Sequence, residues 1–96
     1  MKKIQLGSIH ERIRDRDIFV QYYLTEEEKG RSETLYGIEV KLESEGKKEI
    51  EWTGAISECY KKVKELGERL MRCQVTPYVL LEVVDDLFTQ TIAGES

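Results

Sequence analysis

The sequence predicts an α+β protein: an antiparallel three- to four-stranded meander followed by two helices packed on one face of the sheet. Two changes of rhythm carry this expectation. Apolar and polar residues alternate in segments between Ile18 and Trp52, the period of strands with one buried face. After Trp52 the apolar residues recur at steps of three and four, the period of an amphipathic helix. Thr76-Pro77 then marks a second helix start. These marks place a sheet over residues 4–53, one helix over 57–73 and another over 77–90, within a single domain spanning 1–96.

Ile18, Val20, Tyr22 and Leu24 share one parity, Tyr36, Ile38, Val40 and Leu42 repeat it, and Ile50 with Trp52 gives a shorter third strand. The opposite parity of the second segment, Glu39, Lys41 and Glu43, is charged, as on a sheet with one wet side. Residues 26–33, with Gly30, and 44–47, with Gly46, read as hairpin turns. At the N-terminus, Ile4, Leu6, Ile9 and Ile13 fit one strand only if Gly7-Ser8 marks a bulge that switches parity.

Ile56, Cys59, Val63, Leu66, Leu70 and Cys73 form the stripe of the first helix, with Ser57 as its N-cap. Gly67 interrupts it at a cost of about 1 kcal/mol, which implies close packing against a neighbour. For the second helix Thr76 serves as N-cap, and Pro77 loses no bond at the first helical position. Val79, Leu80, Leu81, Val83, Val84, Leu87 and Phe88 fill an apolar arc of roughly 200°, wide enough to suggest cover from beyond its own subunit.

Composition narrows the function. With 96 residues there is room for one core, and 40% hydrophobic beside 35% charged residues describes a globular chain. The longest apolar run, Tyr78 to Leu81, falls far short of the roughly 20 residues that cross a bilayer. Polar and charged residues recur from Gln5 onward, so Met1-Lys2-Lys3 opens no secretory signal, and the reading is cytoplasmic with no membrane contact. A net charge of −4 disfavours nucleic acid as a partner.

The residues that could carry chemistry are few. Cys59 and Cys73, on one helix, would lie about 21 Å apart, beyond the roughly 7 Å limit for a disulfide. They read as small core residues in a reducing compartment. A cysteine nucleophile needs a base, and the one histidine is His10. Three Cys and His residues cannot supply a four-ligand structural zinc site. Glu82, Asp85 and Asp86 share one side of the second helix and read as its solvated face. No glycine opens a phosphate-binding loop. Neither a metal nor a cofactor is expected.

Two features point to binding instead. Arg12, Arg14 and Arg16 alternate, so on one continuous strand their guanidinium groups would share a face as an anion clamp. Phe19 and Tyr23 fall on the wet parity, with Leu35 likewise outward. Together with Leu81 and Phe88 on the second helix, they form a candidate partner surface.

Tyr22-Tyr23-Leu24-Thr25-Glu26-Glu27-Glu28, Tyr36-Gly37-Ile38-Glu39-Val40 and the Val75-Thr76-Pro77 to Val84-Asp85-Asp86-Leu87-Phe88 stretch carry a resemblance. The chain resembles a group of short proteins of clostridia and their phages catalogued as domain of unknown function 6514. Members of that group often carry a histidine two residues after the proline, where this chain has Val79. The resemblance implies a fold and brings no activity with it.

The leading functional expectation is a small non-enzymatic interaction module, homo-oligomeric and binding a further protein. A second reading is capture of a small anionic ligand such as a signalling nucleotide by Arg12, Arg14 and Arg16, by fold-level analogy with phage counter-defence proteins. An enzyme built on Cys73 or on Glu82, Asp85 and Asp86 is the third.

Overall fold

The computed structural model describes residues 1–86. Strands β1 (Lys2–Ile13), β2 (Arg16–Lys29), β3 (Glu33–Ser44) and β4 (Lys47–Trp52) form one antiparallel sheet in the order β1-β2-β3-β4. Helix α1 (Tyr60–Arg72) follows, and a 3-10 turn (Pro77–Val79) leads into helical residues 80–86. A four-stranded meander followed by two helices is the α+β arrangement expected. Residues 87–90 of the anticipated second helix, Phe88 among them, lie outside the described residues.

Two-residue turns join the first and last strand pairs. Arg14 and Asp15 take φ of 49° and 66°, and Glu45 and Gly46 take 46° and 80°. Positive φ at both central positions gives the turn whose twist matches a hairpin. Glycine tolerates that conformation, so Gly46 is the legible half of the pair. Arg14-Asp15 carries no such mark, and residues expected on one continuous strand instead fold back on themselves.

In β1 the register slips between Gln5 and Gly7, leaving Leu6 as the additional residue opposite Tyr22. This is the anticipated bulge, one position earlier than Gly7-Ser8. It lets Ile4 pair with Leu24 and Ile9 with Val20, both on the side of the sheet that α1 covers.

The core lies between that side and the helices. Val20, Tyr22, Leu24, Ile38 and Val40 of the sheet meet Val63 and Leu70 of α1, then Val75, Leu80 and Val84. Each fully buried side chain of this size contributes about 1.5–3 kcal/mol. Gly67 is buried against the sheet, and a Cβ built there would collide with the ends of Leu6 and Ile38. This is the close approach its position implied.

Helix α1 begins later than expected, and the reason is main-chain bonding to the sheet. Tyr36 N–H donates to the Ser57 carbonyl, and Ile56 N–H donates to the Tyr36 carbonyl, both at 2.8 Å. Residues 56 and 57 are therefore held along β3, and the N-cap passes to Cys59, whose side chain makes no capping bond. Ser57 Oγ instead accepts the Cys59 N–H at 3.0 Å. The buried stripe becomes Val63, Gly67 and Leu70. Cys59 and Cys73 become the two caps of α1, both exposed, which corrects their reading as core residues. Thr76 is the N-cap of the 3-10 turn, again without a side-chain capping bond, and Pro77 follows as expected.

Candidate interaction face

Directly paired residues of adjacent strands project from the same side of a sheet. Tyr23 pairs with Glu39 and Glu39 with Trp52, while His10 pairs with Phe19, Phe19 with Glu43, and Lys41 with Ile50. All of these therefore point away from α1, onto the open face. Ile50 and Trp52 do not extend the buried rows of β2 and β3, as their alternation suggested. The Glu45-Gly46 turn pairs Ser44 with Lys47 and fixes that parity outward.

The open face carries apolar groups that the described helical residues do not cover. Phe19 is 45% exposed, Ile50 54% and Trp52 37%. Tyr23 and Leu35 are half-buried. Their polar neighbours hold this surface in place. Trp52 Nε1 donates to Thr25 Oγ1 at 3.0 Å, and Tyr23 OH donates to Gln21 Oε1 at 2.9 Å. Glu39, between Tyr23 and Trp52, is 7% exposed, and its carboxylate meets Lys3 Nζ at 2.9 Å. A carboxylate so enclosed is retained at low cost only while its cation stays with it.

Nearer the first turn, the His10 ring stacks on Phe19 with centroids 4.3 Å apart and planes 6° from parallel. Its Nε2 lies 2.9 Å from Asp17 Oδ1. Lys41 Nζ lies 2.8 Å from Glu43 Oε1, and this hydrogen bond pulls the Lys41 pKa up and the Glu43 pKa down. A cleft of about 340 Å³ opens between the two turns at this end, lined by Phe19, Asp15, Asp17, Glu43 and Lys48 among others. The face thus carries two apolar pairs, Phe19 with Tyr23 on β2 and Ile50 with Trp52 on β4, on either side of the charged Glu39, Lys41 and Glu43 of β3.

The three arginines do not share a face. Arg12 pairs with Asp17 near the end of β1, Arg14 lies in the turn, and Arg16 pairs with Ile13 at the start of β2. Successive ladder positions alternate sides, so Arg12 and Arg16 project from opposite faces. Arg16 Nε is instead 3.6 Å from Glu45 Oε1. The clamp geometry rested on a continuous strand, and the hairpin removes it.

The remaining candidates are dispersed. Leu81 is 49% exposed in the helical layer, away from Phe19 and Tyr23. Glu82, Asp85 and Asp86 are exposed, and no group of three potential metal ligands occurs among the described residues. Cys73 ends α1 on one side of the sheet, whereas His10 projects from the other, so these two do not form a thiol–imidazole pair. Tyr22 is fully buried, donates its OH to the Val75 carbonyl at 2.8 Å, and has its pKa pushed up to about 12, chiefly by burial. The sequence reading missed Ile50 and Trp52 as surface residues. Their side is set by pairing with Lys41 and Glu39, the outward parity of β3, and that register depends on the Glu45-Gly46 turn.

Fold and surface together define a two-layer α+β domain whose sheet is covered by helix on one side and carries apolar pairs of β2 and β4 on the other. The chain belongs to the family of unknown function DUF6514, whose model matches residues 1–90. No curated protein and no solved structure matches it. Among the described residues, no helix is long and apolar enough to cross a membrane.

Proposed function

We propose that this chain is a non-enzymatic cytoplasmic interaction module that works as a homo-oligomer and holds a protein partner on the open face of its sheet. The observation that carries the reading is the two apolar pairs on the side opposite α1, Phe19 with Tyr23 and Ile50 with Trp52, which flank the charged residues of β3. Aromatic residues that present large, rigid contact area are the usual anchors of protein interfaces. Glu39 with Lys3, and Glu43 with Lys41, supply a polar surround whose charges are already balanced within the chain. The partner is therefore expected to present an apolar patch rather than a strongly charged one.

Site-specific photo-cross-linking in the source cell tests this. A photoreactive residue in place of Ile50 should capture one defined polypeptide, and the same residue in place of Leu81 should not. Loss of the Ile50 product on adding Phe19→Lys would confirm that both apolar pairs are used. Equal capture at both positions, or none at Ile50, would overturn the reading.

A further inference from the structure

Among the described residues, β1 is a 12-residue edge strand, bonded to β2 on one side only. The two-residue turn makes Ile13 and Arg16 a mutually bonded pair, and the bonding direction alternates from there. The main-chain groups of Ser8 and His10 therefore point away from β2, and beyond the bulge so do those of Lys3 and Gln5. Such an edge is a template for another strand.

The bulge decides which strand fits. Before it, even-numbered residues face α1, as Lys2 and Ile4 do. After it, odd-numbered residues do, as Ile9 and Glu11 do. We infer that β1 pairs antiparallel with β1 of a second copy about a two-fold axis between Leu6 and Gly7, joining the two sheets into one. In that register Lys2 lies opposite Glu11, Ile4 opposite Ile9, Lys3 opposite His10 and Gln5 opposite Ser8. Every pair shares a face, and each outward-pointing main-chain group meets another. A regular strand could not pair odd with even in this way, because the two would project from opposite sides.

The side chains favour the same register. Lys2 and Glu11 form no ion pair among the described residues, and the two-fold brings them together twice. Sliding in one direction sets Lys3 against Arg12 and Ile4 against Glu11. Sliding in the other sets Lys2 against Ile9 and Ile4 against Gly7. Beside β1, a groove of about 500 Å³ runs between Ile4, Leu6, Tyr60 and Met71, with Lys64 on its wall. The proposed register brings Ile9 of the second copy beside Ile4 at this groove, and Glu11 of the second copy toward Lys2.

This deepens the homo-oligomeric part of the function proposed above and rests on it. Sedimentation equilibrium with a charge swap tests it. The unmodified chain should be dimeric. Lys2→Glu or Glu11→Lys alone creates two like-charged pairs and should raise the dissociation constant about tenfold. The double variant should restore it. A monomer would overturn both the strand pairing and the homo-oligomer. A dimer that ignores both single variants, or is not rescued by the double one, would overturn the strand pairing alone. Circular dichroism of each variant separates a lost contact from a lost fold, since Lys2 and Glu11 are both exposed.

Discussion

The phenol of Tyr22, in the middle of β2, donates a hydrogen bond to the carbonyl of Val75 at 2.8 Å, tying the sheet to the junction between α1 and the second helix. Its burial holds the hydroxyl protonated, with a pKa raised from 10.0 to about 12. A raised pKa means that the folded chain keeps its proton where the unfolded chain loses it. The stabilisation is fully present below pH 10 and is lost as pH rises toward 12. Stability should fall by about 2 kcal/mol across that interval. Urea titrations at pH 9 and pH 12 would measure it. The Tyr22→Phe variant should lose this component of the slope while being about 1 kcal/mol less stable at neutral pH.

Two buried glycines should respond unequally to alanine. A Cβ on Gly37 would strike the Gly54 carbonyl and press on Thr25 Oγ1, which also accepts the Trp52 N–H. A backbone carbonyl has little room to move, so Gly37→Ala should cost about 1–3 kcal/mol and shift the Trp52 fluorescence to the red. A Cβ on Gly67 would meet only the ends of Leu6 and Ile38, and alanine recovers about 1 kcal/mol of helix propensity. Gly67→Ala should therefore destabilise less than Gly37→Ala. Thermal denaturation of both variants checks the order.

Asp15 holds φ of 66° in the first turn. A left-handed conformation costs an L-residue about 1–2 kcal/mol, which glycine largely avoids. Asp15→Gly is expected to raise stability by about 1 kcal/mol, measured as a shift in the denaturant midpoint at unchanged slope.

The open face should be replaceable without loss of fold. Ile50 is 54% exposed, and Ile50→Lys should change stability by no more than about 0.5 kcal/mol. Leu80 is fully buried, so Leu80→Ala should cost about 2–5 kcal/mol. A large loss from Ile50→Lys would mean that this face serves packing rather than contact with a partner.

The inward rows of β2 and β3, the stripe from Val63 to Leu70 and the Pro77 restart were legible because each repeats a period over several residues. The open face was half legible. Phe19 and Tyr23 stand out against charged neighbours, but alternation gives the parity of a strand and not its side. The side of Ile50 and Trp52 depends on the register set by Glu45-Gly46. The turn at Arg14-Asp15 was hidden because arginine does not mark positive φ, and aspartate, which favours it, stands without the glycine that usually follows in such turns. The start of α1 was hidden because the bonds between Tyr36 and residues 56–57 join segments far apart in sequence. The exposure of both cysteines follows from that one delay.

Tyr22 and Tyr23 are adjacent, yet one is anchored in the core and the other lies on the open face. A single layer of backbone separates them, with nothing between to absorb displacement. Any partner that immobilises Tyr23 therefore also steadies the peptide group that carries Tyr22. Amide hydrogen exchange would then slow in the centre of β2 and at Val75, whose carbonyl that phenol holds, although no partner touches Val75.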